Sequence, residues 1–209
     1  MVPEDPIPED PIPEEMRGAW RRRSIAVDGG APHETAHVLW LQAAEAFADL
    51  RVPYASTGET RVEAFGGTTH WDRPRLTWNH TVDWNAGYAG YDCGDIEWQG
   101  AAMVERGTFD DDGHTREYEE VWERVDAGDL HVALTAHAAI IVRVGAYSLA
   151  LRDSRARGAA FDVRATRWSA ELGWQDTYVF GAGQELPSGS AASERAGWTL
   201  SESTPPAPH

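Results

Sequence analysis

Several ionisable side chains in this sequence alternate with aromatic ones, the spacing that a β-strand turns to one face. In Arg116–Val125, Tyr118, Glu120, Trp122 and Arg124 share one side, and Glu119, Val121, Glu123 and Val125 share the other. In Ala101–Phe109, Glu105 shares a side with Met103 and Phe109. His80 stands with Leu76, Trp78, Val82 and Trp84, while Asp49 and Arg51 stand with Phe47. A carboxylate or imidazole that faces an apolar interior loses its water, so its pKa moves and proton transfer comes within reach. The same spacing also fits a simpler use: a buried ion pair, such as Glu105 or Asp49 with Arg51, that holds strands in register. For His80 the simpler use is a hydrogen-bonded core histidine.

Two further motifs point to metals. His33-Glu34-Thr35-Ala36-His37 matches the H-E-x-x-H pattern, in which two imidazoles on one helix face hold zinc and the glutamate activates a bound water. Here it follows Gly29-Gly30-Ala31-Pro32 and lacks a third ligand motif, so a solvated loop is the competing reading. Asp110-Asp111-Asp112-Gly113 with Glu119 has some features of a calcium loop, but Thr108 would fall on the first ligand position and a hairpin turn explains it better. No metal site and no cofactor is therefore expected. All 18 basic residues are arginine, which excludes a Schiff-base, P-loop or pyridoxal-phosphate lysine. Glycine-rich phosphate loops, a G-x-S-x-G elbow and a Cys/His nucleophile arrangement are absent from the sequence.

Ten tryptophans in 209 residues suit a cavity for a flat or apolar guest, or else a solid core. Net charge of −16 disfavours a nucleic-acid partner and an anionic membrane surface. The longest apolar run, 132–144, is too short for a membrane span. Cys93 is the lone cysteine, so no disulfide can form within the chain; with no basic and apolar leader at the start, a reducing cytoplasm is the expected address.

Three units are expected. Residues 1–16 repeat a Pro-Glu-Asp-Pro-Ile pentad and read as a disordered acidic arm. Residues 17–182 read as one β domain, and residues 183–209, rich in Ser, Gly, Pro and Ala, as a mostly disordered tail whose Trp198 could still dock. Strands are expected at 20–27, 37–41, 46–52, 75–84, 94–98, 101–109, 116–125, 130–144 (one or two), 147–152, 160–167 and 168–172. Turn signals sit at Asp28-Gly29-Gly30, Gly66-Gly67, Asp111-Asp112-Gly113 and Ala127-Gly128-Asp129. The clearest hairpin joins Ala101–Phe109 to Arg116–Val125. A helix over His33–Leu50 competes with two strands, because Ala36, Leu39, Trp40, Ala43, Ala44 and Phe47 tolerate a 3.6 period. Short antiparallel strands with dense aromatics make the fold all-β, an antiparallel up-and-down barrel of about 8–10 strands, with a sandwich as the alternative.

Gly18-Ala19-Trp20 at the head of the first strand, with Arg164 or Arg167 on a late one, resembles the lipocalin/calycin superfamily. Trp40-Leu41-Gln42, Ala48–Pro53, Asp92-Cys93-Gly94, Glu105-Arg106-Gly107 and Tyr118–Trp122 resemble a set of uncharacterised bacterial and fungal lipocalin-like proteins. The resemblance implies a barrel whose tryptophan packs beneath it against a late arginine, and makes 40–53 two strands and a turn.

The expected function is an intracellular barrel that encloses a small apolar or aromatic molecule, as a cofactor-free cyclase, isomerase or lyase of bacterial specialised metabolism. His80, Glu105, Tyr118 and Glu120 are the candidates for proton transfer. Arg51 is the candidate for an anionic substrate group, and Trp40, Trp78, Trp84, Met103 and Trp122 for the walls. A non-catalytic carrier or sensor, including a haem barrel using His80 or His137, remains open, as do the zinc reading and an acidic arm for a basic partner. Partners are otherwise limited to the small molecule, with the chain as monomer or homodimer.

Overall fold

The computed structural model describes residues 11–55, 61–88, 90–128, 131–189 and 199–204. Residues 1–10 of the acidic arm and Trp198 lie outside them. The fold is all-β. Eight antiparallel strands follow one another in order: β1 (Gly18–Val27), β2 (Ala36–Gln42), β3 (Ala46–Pro53), β4 (Glu63–Asp72), β5 (Arg75–Asp83), β6 (Asp92–Gln99), β7 (Ala102–Asp111) and β8 (His114–Asp126). Each pairs with its neighbour, and β8 returns to β1, closing an up-and-down barrel without free edges. The β7–β8 hairpin turns at Asp112 and Gly113, both at positive φ (51° and 83°), which is why Asp-Gly stands there rather than a calcium ligand set.

The remaining strands do not join the barrel. β9 (His131–Ala136), β10 (Ala139–Val144), β11 (Tyr147–Asp153), β12 (Phe161–Ser169), β13 (Gly173–Phe180) and β14 (Thr199–Thr204) form a second sheet in the order β13-β12-β11-β10-β9-β14. Of Trp168–Leu172, expected as a separate strand, Trp168 and Ser169 end β12, with Trp168 paired to Trp174, and 170–172 make the β12–β13 turn. Among the described residues of 183–209, Thr199–Thr204 is the stretch that forms a strand, and Glu14–Met16 is a short 3₁₀ turn in the acidic arm.

Alternation sorts the barrel's side chains into two cores. Val38, Trp40 and Phe47 turn inward with Trp20, Leu76, Trp78, Met103 and Trp122. Leu41, Ala48, Leu50 and Ala64 turn outward and pack on Ile140, Val142, Leu149, Leu151 and Val163 of the second sheet. β2 and β3 are thus covered on both faces, so their apolar run lost the clean alternation of a half-wet strand. This is why a helix over 33–50 competed in the sequence; none forms.

Besides a register shift at Val125 of β8, two β-bulges reset the alternation beside the cavity. Between β4 and β5, Gly66 pairs with Val82 and Gly67 with His80, leaving Thr81 unopposed. Leu76, Trp78 and His80 face the interior, but Val82 and Trp84 turn out to the second sheet, where Trp84 meets Phe161 at 5.2 Å. The single face expected for 76–84 is therefore split. Between β1 and β8, Arg22 pairs with Trp122 and Ser24 with Val121, so Arg23 bulges and Ile25 takes the inward direction after Arg22. Gly66-Gly67 lies inside β4 rather than in a turn. A Cβ on Gly66 would come 2.9 Å from the Phe47 carbonyl and 3.0 Å from Ile140 Cγ2, so glycine permits the close approach of the two sheets. Gly66→Ala is expected to destabilise the fold by about 1–3 kcal/mol and lower Tm by several degrees in a circular-dichroism melt. An unchanged Tm would mean that the sheets do not press together there.

Candidate functional site

One end of the barrel is solid. Ile12 and Met16 from the acidic arm plug it beneath Trp20, whose Nε1 donates to the Met16 carbonyl at 2.8 Å. Trp40 lies edge-on to Trp78 (5.7 Å) and Trp122 (5.4 Å) and against Trp20 (6.3 Å). The arginine over Trp20 is Arg124 of β8, at 5.7 Å. Arg164 and Arg167, expected in that place, belong to the second sheet, where Arg164 binds Asp176 and Arg167 covers Tyr147.

Above the indoles the interior becomes charged. Arg22 of β1 is buried; its Nη1 donates to Glu120 Oε1 of β8 at 2.5 Å, and its Nε and Nη2 donate to both oxygens of Glu34 at 2.8 and 3.1 Å. Burial opposes the charge on Arg22, yet the Glu120 charge and the Glu34 hydrogen bond raise its pKa above the usual value. Glu34 also accepts the backbone N–H groups of Thr35 and Ala36. That commitment ends the zinc reading. His33 bridges β1 outside the named strands, His37 lies in β2 with its ring on Tyr54 at 4.6 Å, and no group of acids, Cys and His among the described residues is arranged to hold a metal.

A cavity of about 720 Å³ opens over this layer, a size typical of small-molecule sites. Glu105, Tyr118, Glu120, His80 and Arg51 all line it, although they come from β7, β8, β5 and β3. Trp84 reaches it with Arg61 and Asp83, its ring remaining on Phe161. Trp40, Trp78 and Trp122 line only a deeper extension of about 20 Å³ beside Asp49, and Met103, fully buried in the floor, lines neither space. The tryptophans expected as walls are thus chiefly floor. Tyr88, Tyr91 and Phe109, left out of the expected wall, line the cavity and are the exposed aromatic side chains beside it. Tyr88 and Tyr91 lie in the loop between β5 and β6, which carries no periodic signal, whereas Phe109 shares the alternating face of Glu105 on β7.

Glu105 is the chemical centre. Tyr118 Oη donates to its Oε1 at 2.6 Å and Trp122 Nε1 to its Oε2 at 3.0 Å. Burial, followed by the charge of Glu120 opposite it in register, raises its pKa to about 8 against the pull of the Tyr118 hydrogen bond. Burial and the Glu105 charge push the Tyr118 phenol far above its ordinary value. An indole N–H only donates, so when Glu105 carries its proton it sits on Oε1 and is given to Tyr118 Oη. The phenol proton is then free to turn into the cavity. Gly94 and Gly107, paired across β6 and β7, make the room: a Cβ on Gly94 would come 2.7 Å from Glu105 Cγ, and one on Gly107 2.6 Å from Tyr118 Oη.

His80 is held differently. Its Nδ1 contacts Asp83 Oδ2 at 2.5 Å and its Nε2 contacts Asp92 Oδ2 at 2.8 Å. Its ring is stacked between Phe65 (4.5 Å) and Tyr88 (4.7 Å). Burial works against the charge, but the two carboxylates outweigh it and raise the pKa to about 9. His80 is therefore an imidazolium at neutral pH, with no free lone pair to ligate haem iron, and His137 is exposed on the second sheet's first hairpin. Asp92, which fixes it, could have been read from the inward series Asp92, Gly94, Ile96, Trp98. Asp49 and Arg51 do form the expected pair, at 3.0 Å, with the guanidinium over Phe65 at 5.1 Å. Burial raises the pKa of Asp49 in spite of Arg51.

Fold and hollow together define a closed eight-stranded up-and-down barrel with a polar, aromatic-lined internal cavity. The chain belongs to the HRI1 family: the family model described as Protein HRI1 matches residues 19–204. It is also similar to the crystal structure of an uncharacterised protein from Saccharomyces cerevisiae, with a TM-score of 0.70 and 13% identity over 88% of this chain and 98% of that one, a likeness of fold alone. Curated proteins give no match.

These charges make stability fall as pH rises. His80 binds a proton more tightly folded than unfolded, so its stabilisation is whole below about 6.5 and gone above about 9. Glu105 keeps a proton that the unfolded chain releases, so it costs stability progressively between about 4.5 and 8. In urea titrations, His80→Gln should flatten the decline between pH 8 and 9, a component of at most about 1 kcal/mol over that pH unit. Glu105→Gln should flatten the decline below pH 6.5. An unaltered profile in either variant would remove the corresponding assignment.

Proposed function

We propose that this chain is a lipocalin-like barrel that binds a small molecule with a flat apolar body and moves a proton on it without a cofactor, as an isomerase, cyclase or lyase does. The observation that carries the reading is the Glu105–Tyr118 pair, a buried carboxyl with a pKa of about 8 joined to a phenol that lines a cavity of about 720 Å³. A group that titrates this close to neutrality both gives and takes a proton at little cost. As a ligand atom takes the phenol proton, Glu105 replaces it from Oε1, so no free tyrosinate persists. In the reverse step the proton returns along the same path. The indole floor beneath Glu105 buries the inner side of the pair, and that burial keeps the carboxyl neutral.

His80 serves in this reading as a fixed charge rather than an acid, because its proton is held by two carboxylates. Glu120 adds its charge to the burial that raises the Glu105 pKa, and anchors Arg22. The proposed setting is bacterial, cytoplasmic specialised metabolism, with the chain as a monomer or homodimer; the lone cysteine fits a reducing compartment.

A carrier without turnover is the second reading. It is favoured by how completely the interior charges are paired, His80 with two aspartates and Arg22 with two glutamates. Native mass spectrometry of freshly purified protein should show one small molecule per chain. Returned to the protein in heavy water, that molecule should incorporate deuterium at a carbon-bound position. Glu105→Gln should slow incorporation by about 10²–10⁴-fold while binding persists. Equal incorporation with both proteins, or none with either, would leave the carrier.

A further inference from the structure

The charges around the cavity say what the guest must carry, an inference that rests on the binding function proposed above. Arg51, Arg61 and His80 face the space as cations, and Glu63, Asp83, Asp92, Asp110 and Glu120 face it as carboxylates, so the lining is two charges negative while Glu105 holds its proton. Every one of those cations is already countered. Arg51 is on Asp49, Arg61 Nε lies 3.7 Å from Glu63, and His80 is between Asp83 and Asp92. Behind the wall, Arg22 is shared by Glu120 and Glu34. An anion entering here meets an excess of its own sign, whereas a cation is drawn in.

A second observation marks where the cation would sit. Glu120 is 3% exposed and lines the cavity, and its Oε2 has no hydrogen-bond partner among the described residues. A buried carboxylate oxygen left this way costs free energy that a donor from the guest would recover. The rings of Phe65, Tyr88, Tyr91, Phe109 and Tyr118 line the same space. Aromatic faces carry partial negative charge, so they attract a cation as readily as they pack on a flat apolar body.

We propose that the guest is an organic ammonium, a protonated amine on a flat apolar body, which donates an N–H to Glu120 Oε2 and lies against the aromatic lining. Tyr118, two residues before Glu120 on the same face of β8, then stands beside the atoms next to the nitrogen, where its proton is passed.

The test uses the full-length chain and three matched probes: naphthylethylamine, naphthylethanol and naphthylacetate. In calorimetric titrations at low salt, the amine should bind at least roughly tenfold more tightly than the alcohol, with the carboxylate weakest. Raising salt to about 0.5 M should erode the amine's advantage and leave the alcohol unchanged. Glu120→Gln should bring amine and alcohol to within about threefold. Because Glu120 also holds Arg22, Asp110→Asn serves as a second variant outside that ion bridge and should weaken only the amine, by about twofold. If amine and alcohol bind alike, or the carboxylate binds best, the ammonium assignment fails and the cavity reading stands. If none of the three binds, both fall.

Discussion

The ion bridge of Arg22 to Glu120 and Glu34 is the interaction on which the rest of the site depends. It crosses the seam where β1 meets β8, the pairing that turns a sheet into a barrel, and it adds the segment leading into β2. A buried ionic group of this kind is not an economical way to gain stability, since apolar replacements often match it. Its effect is on position. One guanidinium fixes Glu120 inside the barrel, and Glu120 in turn raises the pKa of Glu105 opposite it. Removing Arg22 alone would leave two carboxylates without their cation, a change that costs several kcal/mol in comparable sites.

The interior is therefore layered. Indoles and Met103 fill the end plugged by Ile12 and Met16; ionisable groups occupy the level above, and the hollow lies over them. Glu105 sits at the boundary, with Trp122 on its dry side and Tyr118 on its cavity side. That placement gives a carboxyl two unequal neighbours, one that only donates and one that passes a proton through. The second sheet contributes from outside. Packed on β2, β3 and β4, it forces those strands to be apolar on their outer face, so the polar groups they carry are concentrated inside, as Asp49 and Arg51 are.

Much of this could be read in the sequence wherever alternation is undisturbed. β7, and β8 from His114 to Trp122, keep a two-residue period, so alternation alone puts Glu105, Tyr118 and Glu120 on inward faces; β8 bulges further on, at Val125. β5 misled because the bulge at Thr81 reverses the faces, sending Val82 and Trp84 out. β4 went unread because Gly66 and Gly67 look like a turn, although they are there to let Ile140 and the Phe47 carbonyl come close. The second sheet could not be told from the barrel, since period reports which face is buried and not which strand is the neighbour. The partners Arg22 and Glu34 were hidden in a different way. Arg22 lies in a run of three arginines in which nothing marks the one that turns inward, and Glu34 lies in a motif that matches a zinc pattern.

The proton transfer proposed for this site requires that Glu105 still holds its proton at neutral pH. Carbon-13 NMR of protein labelled at the glutamate side-chain carboxyls, titrated from pH 4 to 10, tests it directly. One carboxyl resonance should titrate near 8 and be missing from Glu105→Gln, with the others shifting at lower pH. A Glu105 resonance that titrates near 4.5 with the rest would contradict the account.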